Sequence, residues 1–163
     1  MPRRIRGVLF DVGGTLLREG TGEPYPGVHQ TLETLGKSYT LAVITNTETR
    51  TENDVRMMFR SLGLESLFSC FVVSLDVGWW KPHPEIFNIT LELSNLKPHE
   101  SVMVGNRVDL DIVGGKRVGL ATVLIDYEDK VDVETLVEAE KPNAKVTSLA
   151  QLSSVLENLQ AGL

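Results

Sequence analysis

A chain of 163 residues with 42% hydrophobic and 23% charged residues has the size and balance of one globular domain, expected over residues 1–163, and neither disorder nor a fibrous repeat is indicated. The net charge of -6 disfavours broad attraction to a nucleic acid backbone, and Arg3, Arg4 and Arg6, the one dense basic cluster, read as a solvated start to the first strand. No stretch approaches the ~20 apolar residues of a membrane span, MPRRIR lacks the apolar region of a signal peptide, and the lone Cys70 excludes an internal disulfide, so the expected compartment is the cytoplasm.

In chain order, Val8, Leu9 and Phe10 form an apolar run that stops at Asp11, followed at once by Gly13, Gly14 and Thr15. A buried strand ending on a carboxylate at a glycine-rich turn puts that charge at the sheet edge where open α/β sheets bind ligands. After Leu16 the polar segment REGTGEPYP leads to a helix with Val28, Leu32 and Leu35 on one face, ending near Gly36. Thr40 to Ile44 is a second buried strand, and it stops at Thr45, Asn46 and Thr47. The spacing predicts a helix from Glu52 to Leu62 with Val55, Met58, Phe59 and Leu62 inward, Met57 and Met58 as core filler, and Gly63 as the stop.

Phe71 to Val73 reads as a third strand, with Cys70 packing beside it, and the loop SLDVGWWKPHP runs on to a helix beginning near Pro84. Pro82 keeps Lys81 out of helical geometry. Ser101 to Val104 is a fourth strand, ended by GNRVDLD, after which a helix opens near Asp109 and runs to Val118, and Ala121 to Ile125 is a fifth strand. The remainder holds two amphipathic helices, about Val133 to Glu140 and Leu149 to Leu159, with a short strand or turn between. Tyr127 to Lys145, where charge is high and periodicity weak, reads as a mobile flap. Strands alternating with helices imply a three-layer, Rossmann-like α/β fold: a five-stranded parallel sheet covered on both faces.

All strand C-termini of a parallel sheet share one edge, so Asp11, Thr45 with Asn46, Lys81, and Asn106 with Asp111 can converge on one cleft. The set suits phosphoryl transfer. A carboxylate nucleophile needs donors to hold the phosphate, here Thr15, Thr45, Asn46 and Lys81, and a cation to lower charge repulsion. Asp11 and Asp111, with oxygens from Asn106 and the Gly13 carbonyl, suit Mg²⁺.

On these residues the chain resembles the haloacid dehalogenase-like hydrolase superfamily. FDVGGT matches its first motif except at one position, VITN the second, VGWWKPHPEIF the third and GNRVDLD the fourth, in order across Gly7 to Ile125. The resemblance implies a Mg²⁺-dependent phosphatase with a covalent aspartyl-phosphate on Asp11, Mg²⁺ held by Asp11, the Gly13 carbonyl and position 106, and phosphate gripped by Thr45 and Lys81. Two positions depart from it. Gly13 stands where such phosphatases carry a second aspartate as general acid and base, a loss worth about 10²- to 10⁴-fold, and Glu19, Glu23 and His29 are the nearest substitutes in sequence. Asn106 stands where the family has an aspartate, which removes one negative charge from the ion's ligands, while Asp109 more naturally caps the following helix.

The intervals from Asp11 to Thr45 and from Thr45 to Lys81 leave no room for a cap domain, so the cleft lacks a lid. That suits a phosphorylated substrate of macromolecular size, or one covered by a partner subunit in a homo-oligomer. Trp79 and Trp80 fall on the expected rim, as a stacking surface or as packing against the sheet edge, and His83 and His99 read as surface residues. The rival reading is a phosphate-binding or protein-interaction module that keeps the fold and has lost turnover. A receiver domain, which needs an acid at the end of the third strand, does not fit Val73 and Ser74.

Overall fold

Val8 and Phe10 alternate with Leu9 along β1 (Gly7–Phe10), and all three are fully buried, so both faces of this strand are covered. The same alternation runs through β2 (Thr40–Thr45), β3 (Phe68–Val73), β4 (Ser101–Gly105) and β5 (Ala121–Ile125). Val8, Phe10, Val43, Phe71, Val73, Val102, Val104, Val123 and Ile125 point into one core, whereas Leu9, Ala42, Ile44, Val72 and Met103 point into the other. These coordinates are a computed structural model that describes residues 4–162. With β6 (Ala144–Val146) the strands form one six-stranded, wholly parallel sheet in the order β3-β2-β1-β4-β5-β6.

The first core is closed by α1 (Val28–Gly36) and α2 (Glu52–Ser61) through Val28, Leu32, Leu35, Val55 and Phe59, and by the C-terminal helix over Leu152–Gly162 through Leu152 and Leu156. After the short α3 (Ser74–Val77), α4 (Pro84–Leu93) and α5 (Val113–Arg117) lie on the other side, where Ile86, Phe87 and Leu91 fill the second core. The expected three layers are therefore present. Among the described residues no helix is long and apolar enough to cross a membrane.

Several expectations are corrected. The sheet has six strands, not five; the extra one pairs with β5 and buries only Val146, too little apolar pattern to stand out in the sequence. β3 starts at Phe68 rather than Phe71, because exposed Ser69 interrupts the apolar run of this edge strand. The helix expected from Val133 to Glu140 is two isolated 3₁₀ turns, Val133–Thr135 and Glu138–Glu140. The segment read as a flap is tied down: Lys145 Nζ donates to the Val131 carbonyl, Val131 N to Asp126 Oδ2, and Thr122 N to Asn143 Oδ1. Met57 is 54% exposed rather than core filler, whereas Met58 packs against the first core. Arg4 and Arg6 are exposed beside Lys37 at the N-terminal end of the sheet, and Arg3 lies outside the described residues.

Phe59 is the pivot between α2 and the sheet edge, with ring centroids 5.2 Å from Phe68 and 5.6 Å from Phe71. All its surface is buried, so Phe59→Ala removes both transfer energy and aromatic contacts. The expected cost is about 3–5 kcal/mol, read from the urea midpoint at unchanged slope.

Candidate active site

In this strand order the chain leaves β1 in one direction for β2 and β3, then returns to β1's other side for β4, so a crevice opens at the C-terminal ends of β1 and β4. Asp11 follows β1 directly, its N–H donating to the Val104 carbonyl at 3.0 Å. The turn after it closes through Gly14 N to Leu17 O and Thr15 N to Val12 O. Gly14 has φ +80°, and a Cβ there would lie 2.3 Å from Asn106 Nδ2, so both conformation and space require glycine. The turn returns Thr15 beneath the carboxylate, where its buried hydroxyl donates to Asp11 Oδ2 at 3.0 Å. Thr15, expected to hold phosphate, orients Asp11 through this bond.

Lys81 is buried, and its Nζ donates to Asp11 Oδ1 and Asp111 Oδ1, both at 2.8 Å, and to the Ile44 carbonyl at 3.0 Å. One ammonium thereby joins the ends of β1 and β2, the turn after β4, and its own loop. Asn46, expected as a phosphate ligand, clasps that loop: its Oδ1 accepts from Lys81 N at 2.9 Å and its Nδ2 donates to Lys81 O at 3.1 Å. The signal was readable in retrospect, because an amide carries the donor and acceptor that match a peptide.

Burial alone would lower the lysine's pKa, but Asp11 and Asp111 outweigh it, and the ammonium form is held. For Asp111 burial dominates and pushes its pKa up to about 6, with Lys81 opposing and the charge of Asp11 adding to the rise. Its Oδ2 accepts from Arg107 N at 3.0 Å, and a Cβ on Gly105 would sit 2.2 Å from that oxygen. Both Asp111 oxygens thus carry hydrogen bonds, and this residue, expected among the Mg²⁺ ligands, holds Lys81. Asp109, expected as a helix cap, pairs with the exposed Arg107 guanidinium at 2.8 Å.

The Asn106 amide tip lies 2.9 Å from Asp11 Oδ2 and 3.3 Å from both the Gly13 carbonyl and Thr15 Oγ1. With nitrogen inward, the amide donates to Asp11 Oδ2 and the Gly13 carbonyl. With oxygen inward, three oxygens converge on one point, a donor set that fits a hard divalent cation such as Mg²⁺. Thr45 is buried at the cleft floor, and among the described residues its hydroxyl has no hydrogen-bond partner. Asp11, Gly13, Glu19, Thr45, Trp80, Lys81 and Asn106 together border an open cleft of about 370 Å³.

The space above Gly13 is filled. Glu19 Cγ lies 3.2 Å and Oε1 3.6 Å from where a Gly13 Cβ would stand. Neither other substitute reaches it: His29 Nε2 is bonded to the Leu62 carbonyl at 2.8 Å, and Glu23 is exposed and outside the cleft lining. Trp80 is on the rim as expected, 40% exposed, and Trp79 stacks on His83 with centroids 4.2 Å apart. Tyr127 carried no signal in the sequence, yet its hydroxyl donates to the Thr15 carbonyl at 2.6 Å and supports the turn after Asp11.

The raised pKa of Asp111 has a sign that can be tested. The folded protein binds this proton more tightly than the unfolded chain, where aspartate titrates near ~3.9. The contribution is fully present below that value and is lost as pH rises through about 6. Relative to Asp111→Asn, the natural protein therefore loses stability between these limits and levels off above, as checked by urea denaturation of both proteins across that range.

A family model described as haloacid dehalogenase-like hydrolase matches residues 15–125. Glyceraldehyde 3-phosphate phosphatase of Pyrococcus furiosus is 36% identical over 146 residues, covering 88% of this chain and 56% of that protein. Pyrophosphatase PpaX of Bacillus mycoides is 33% identical over 138 residues, covering 84% of this chain and 61% of that protein. The chain thus spans 56% and 61% of the length of these two curated relatives. A solved structure, the HAD phosphatase from Thermococcus onnurineus, shares the fold with a TM-score of 0.80 at 21% identity, over 93% of this chain and 98% of that one. With the match running from the turn after Asp11 to the end of β5 and the strand-end groups meeting in one cleft, this chain belongs to the haloacid dehalogenase-like hydrolase family.

Proposed function

We propose that the chain is a phosphatase that hydrolyses phosphate monoesters through a covalent aspartyl-phosphate on Asp11. One observation carries the reading: the Asp11 carboxylate is fixed from both sides, by Lys81 on Oδ1 and Thr15 on Oδ2, at the edge of an open cleft. A nucleophile held in one orientation needs little reorganisation to meet phosphorus in line. The relatives named for glyceraldehyde 3-phosphate and pyrophosphate support phosphorylated substrates.

In this reading the phosphate lies over Asp11 with its oxygens toward the free Thr45 hydroxyl and the Lys81 ammonium. Asp11 attacks phosphorus, the ester oxygen departs, and water then releases inorganic phosphate and regenerates the carboxylate. Asp11, the Gly13 carbonyl and Asn106 would hold Mg²⁺, which would supply positive charge against the repulsion between carboxylate and phosphate. An amide in place of a carboxylate at position 106 makes that binding weaker. Lys81 needs both Asp11 and Asp111 to stay charged while buried, so Asp111 acts by positioning.

The cleft has no inserted cap: only α1 lies between Asp11 and Thr45, and α2, β3 and α3 occupy most of the interval from Thr45 to Lys81. An uncovered cleft fits a phosphoryl group presented on a bulky or macromolecular carrier, or a second copy that covers it. The binding-module reading is favoured by Asn106 and Gly13, and it separates cleanly: such a module takes up beryllium fluoride with Mg²⁺ and turns nothing over.

With p-nitrophenyl phosphate and Mg²⁺, the natural chain is expected to release nitrophenol, and Asp11→Asn to lower the rate by several orders of magnitude at unchanged circular dichroism. Chelation of Mg²⁺ should have a comparable effect. Turnover that survives Asp11→Asn would remove Asp11 as the nucleophile.

A further inference from the structure

We propose that Glu19 is the general acid and base of this site, in the role that Gly13 leaves vacant; the assignment rests on the phosphatase reading above. Its carboxyl occupies the volume that a side chain on residue 13 would enter, with Cγ at 3.2 Å, Oε1 at 3.6 Å and Cδ at 3.9 Å from the position of the missing Cβ. It approaches from six residues further along the chain, and its longer side chain spans the gap.

Three further observations support the role. Glu19 borders three spaces: the cleft shared with Asp11, Thr45 and Lys81, an adjoining pocket of about 220 Å³ lined by Val12, Leu17, Thr47, Arg50 and Met58, and one of about 470 Å³ lined by Gly14, Arg18, Tyr25 and Asn106. Next, its carboxyl is uncommitted. Among the described residues it makes neither a hydrogen bond nor an ion pair, and the charge it faces is the Arg107 guanidinium, itself paired with Asp109.

Finally, the arm that carries it is braced. Arg18 N donates to Glu23 O at 2.7 Å, Gly22 N to Arg18 O at 2.9 Å and Tyr25 N to Leu16 O at 3.0 Å. The Arg18 guanidinium lies 4.7 Å over the Tyr25 ring, which stacks on Tyr127 at 3.9 Å. The arm is therefore fastened through Tyr127 to the same turn that orients Asp11.

The proton balance closes. As Asp11 oxygen bonds to phosphorus and the ester P–O bond breaks, protonated Glu19 gives its proton to the departing oxygen, and an alcohol leaves. The Glu19 carboxylate then takes a proton from the water that attacks the aspartyl-phosphate. The acyl-phosphate P–O bond breaks, phosphate is released, and Glu19 is protonated again for the next cycle. Loss of such a group costs about 10²- to 10⁴-fold.

The test compares natural enzyme, Asp11→Asn, Glu19→Gln and the double variant Glu19→Ala/Gly13→Asp, in which alanine clears the space, on two Mg²⁺-supplemented substrates, p-nitrophenyl phosphate and ethyl phosphate. Ethoxide leaves poorly without a proton and nitrophenolate leaves well. Glu19→Gln is expected to lose about 10²- to 10⁴-fold on ethyl phosphate, and with p-nitrophenyl phosphate to accumulate protein heavier by one phosphoryl group in acid-quenched mass spectra. The double variant is expected to recover turnover on both, because aspartate then grows from the residue that Glu19 overlies. Turnover that needs Asp11 but is unchanged in Glu19→Gln overturns this assignment alone. Loss in Glu19→Gln without phosphoenzyme build-up and without rescue in the double variant also overturns it, as a structural effect. Natural enzyme that neither turns over nor forms phosphoenzyme overturns the phosphatase reading and this assignment with it.

Discussion

Everything at this sheet edge depends on one buried ammonium. Lys81 Nζ meets Asp11, Asp111 and the Ile44 carbonyl, and these belong to segments on both sides of the point where the strand order reverses. Two carboxylates around one cation leave an excess negative charge in a place with little water. Burial is the main cause of the raised Asp111 pKa, and the second carboxylate adds to it. The neighbouring choices follow from the same constraint. Gly105 clears the space that the Asp111 carboxylate fills, and Asn46 fixes the peptide from which the lysine reaches in. Removing the ammonium would leave two unpaired buried carboxylates, which is far more costly than the pair is stabilising.

Asn106 extends this charge argument. A third carboxylate at that position would face Asp11 and the Gly13 carbonyl with nothing to offset it until a cation arrived. The amide escapes the conflict, because by turning over it presents either an acceptor to a cation or a donor to the same two oxygens. The site therefore stays hydrogen-bonded in both conditions, at the expense of the tighter grip that a charged ligand would give. The departure from the family pattern at residue 106 has a physical meaning, and it is compatible with turnover.

The apolar runs of β1, β2, β4 and β5 were legible because strands buried on both faces leave continuous hydrophobic stretches, and the polar residues that end them marked the cleft. β6 was legible only as a short strand or turn, since a three-residue edge strand buries one side chain, and the first half of β3 was not legible, since exposed Ser69 makes it look like loop. Among the site residues, Asp11, Thr45, Lys81 and Asn106 came together as the strand-end rule implies. Asn46, Thr15 and Asp111 came to the same place with different partners, because strand position specifies which edge a residue occupies and not which neighbour takes its hydrogen bonds. Glu19 was one of three equal candidates in the sequence. Only the path of the turn, where Leu17 bridges both Gly13 and Pro24, decides that Glu19 returns over Gly13 while Glu23 and His29 do not.

That turn also bears on why a lidless cleft can be chemically complete. A mobile cap excludes water and brings groups to the substrate on closing, but it also has to be ordered on each encounter. Here the segment after the nucleophile is a short arm fixed by the Arg18, Tyr25 and Tyr127 stack and by the Tyr127 bond to the Thr15 carbonyl, so its groups are in place before any substrate arrives. What the arm cannot do is shut the cleft. In the proposed reading, water exclusion would fall to the substrate's own bulk or to a covering partner, and exposed Trp80 on the rim would give either one an apolar surface to meet. A phosphatase built this way would discriminate by what can lie flat over the cleft, and its chemistry would depend on the arm and the buried lysine remaining in register with each other.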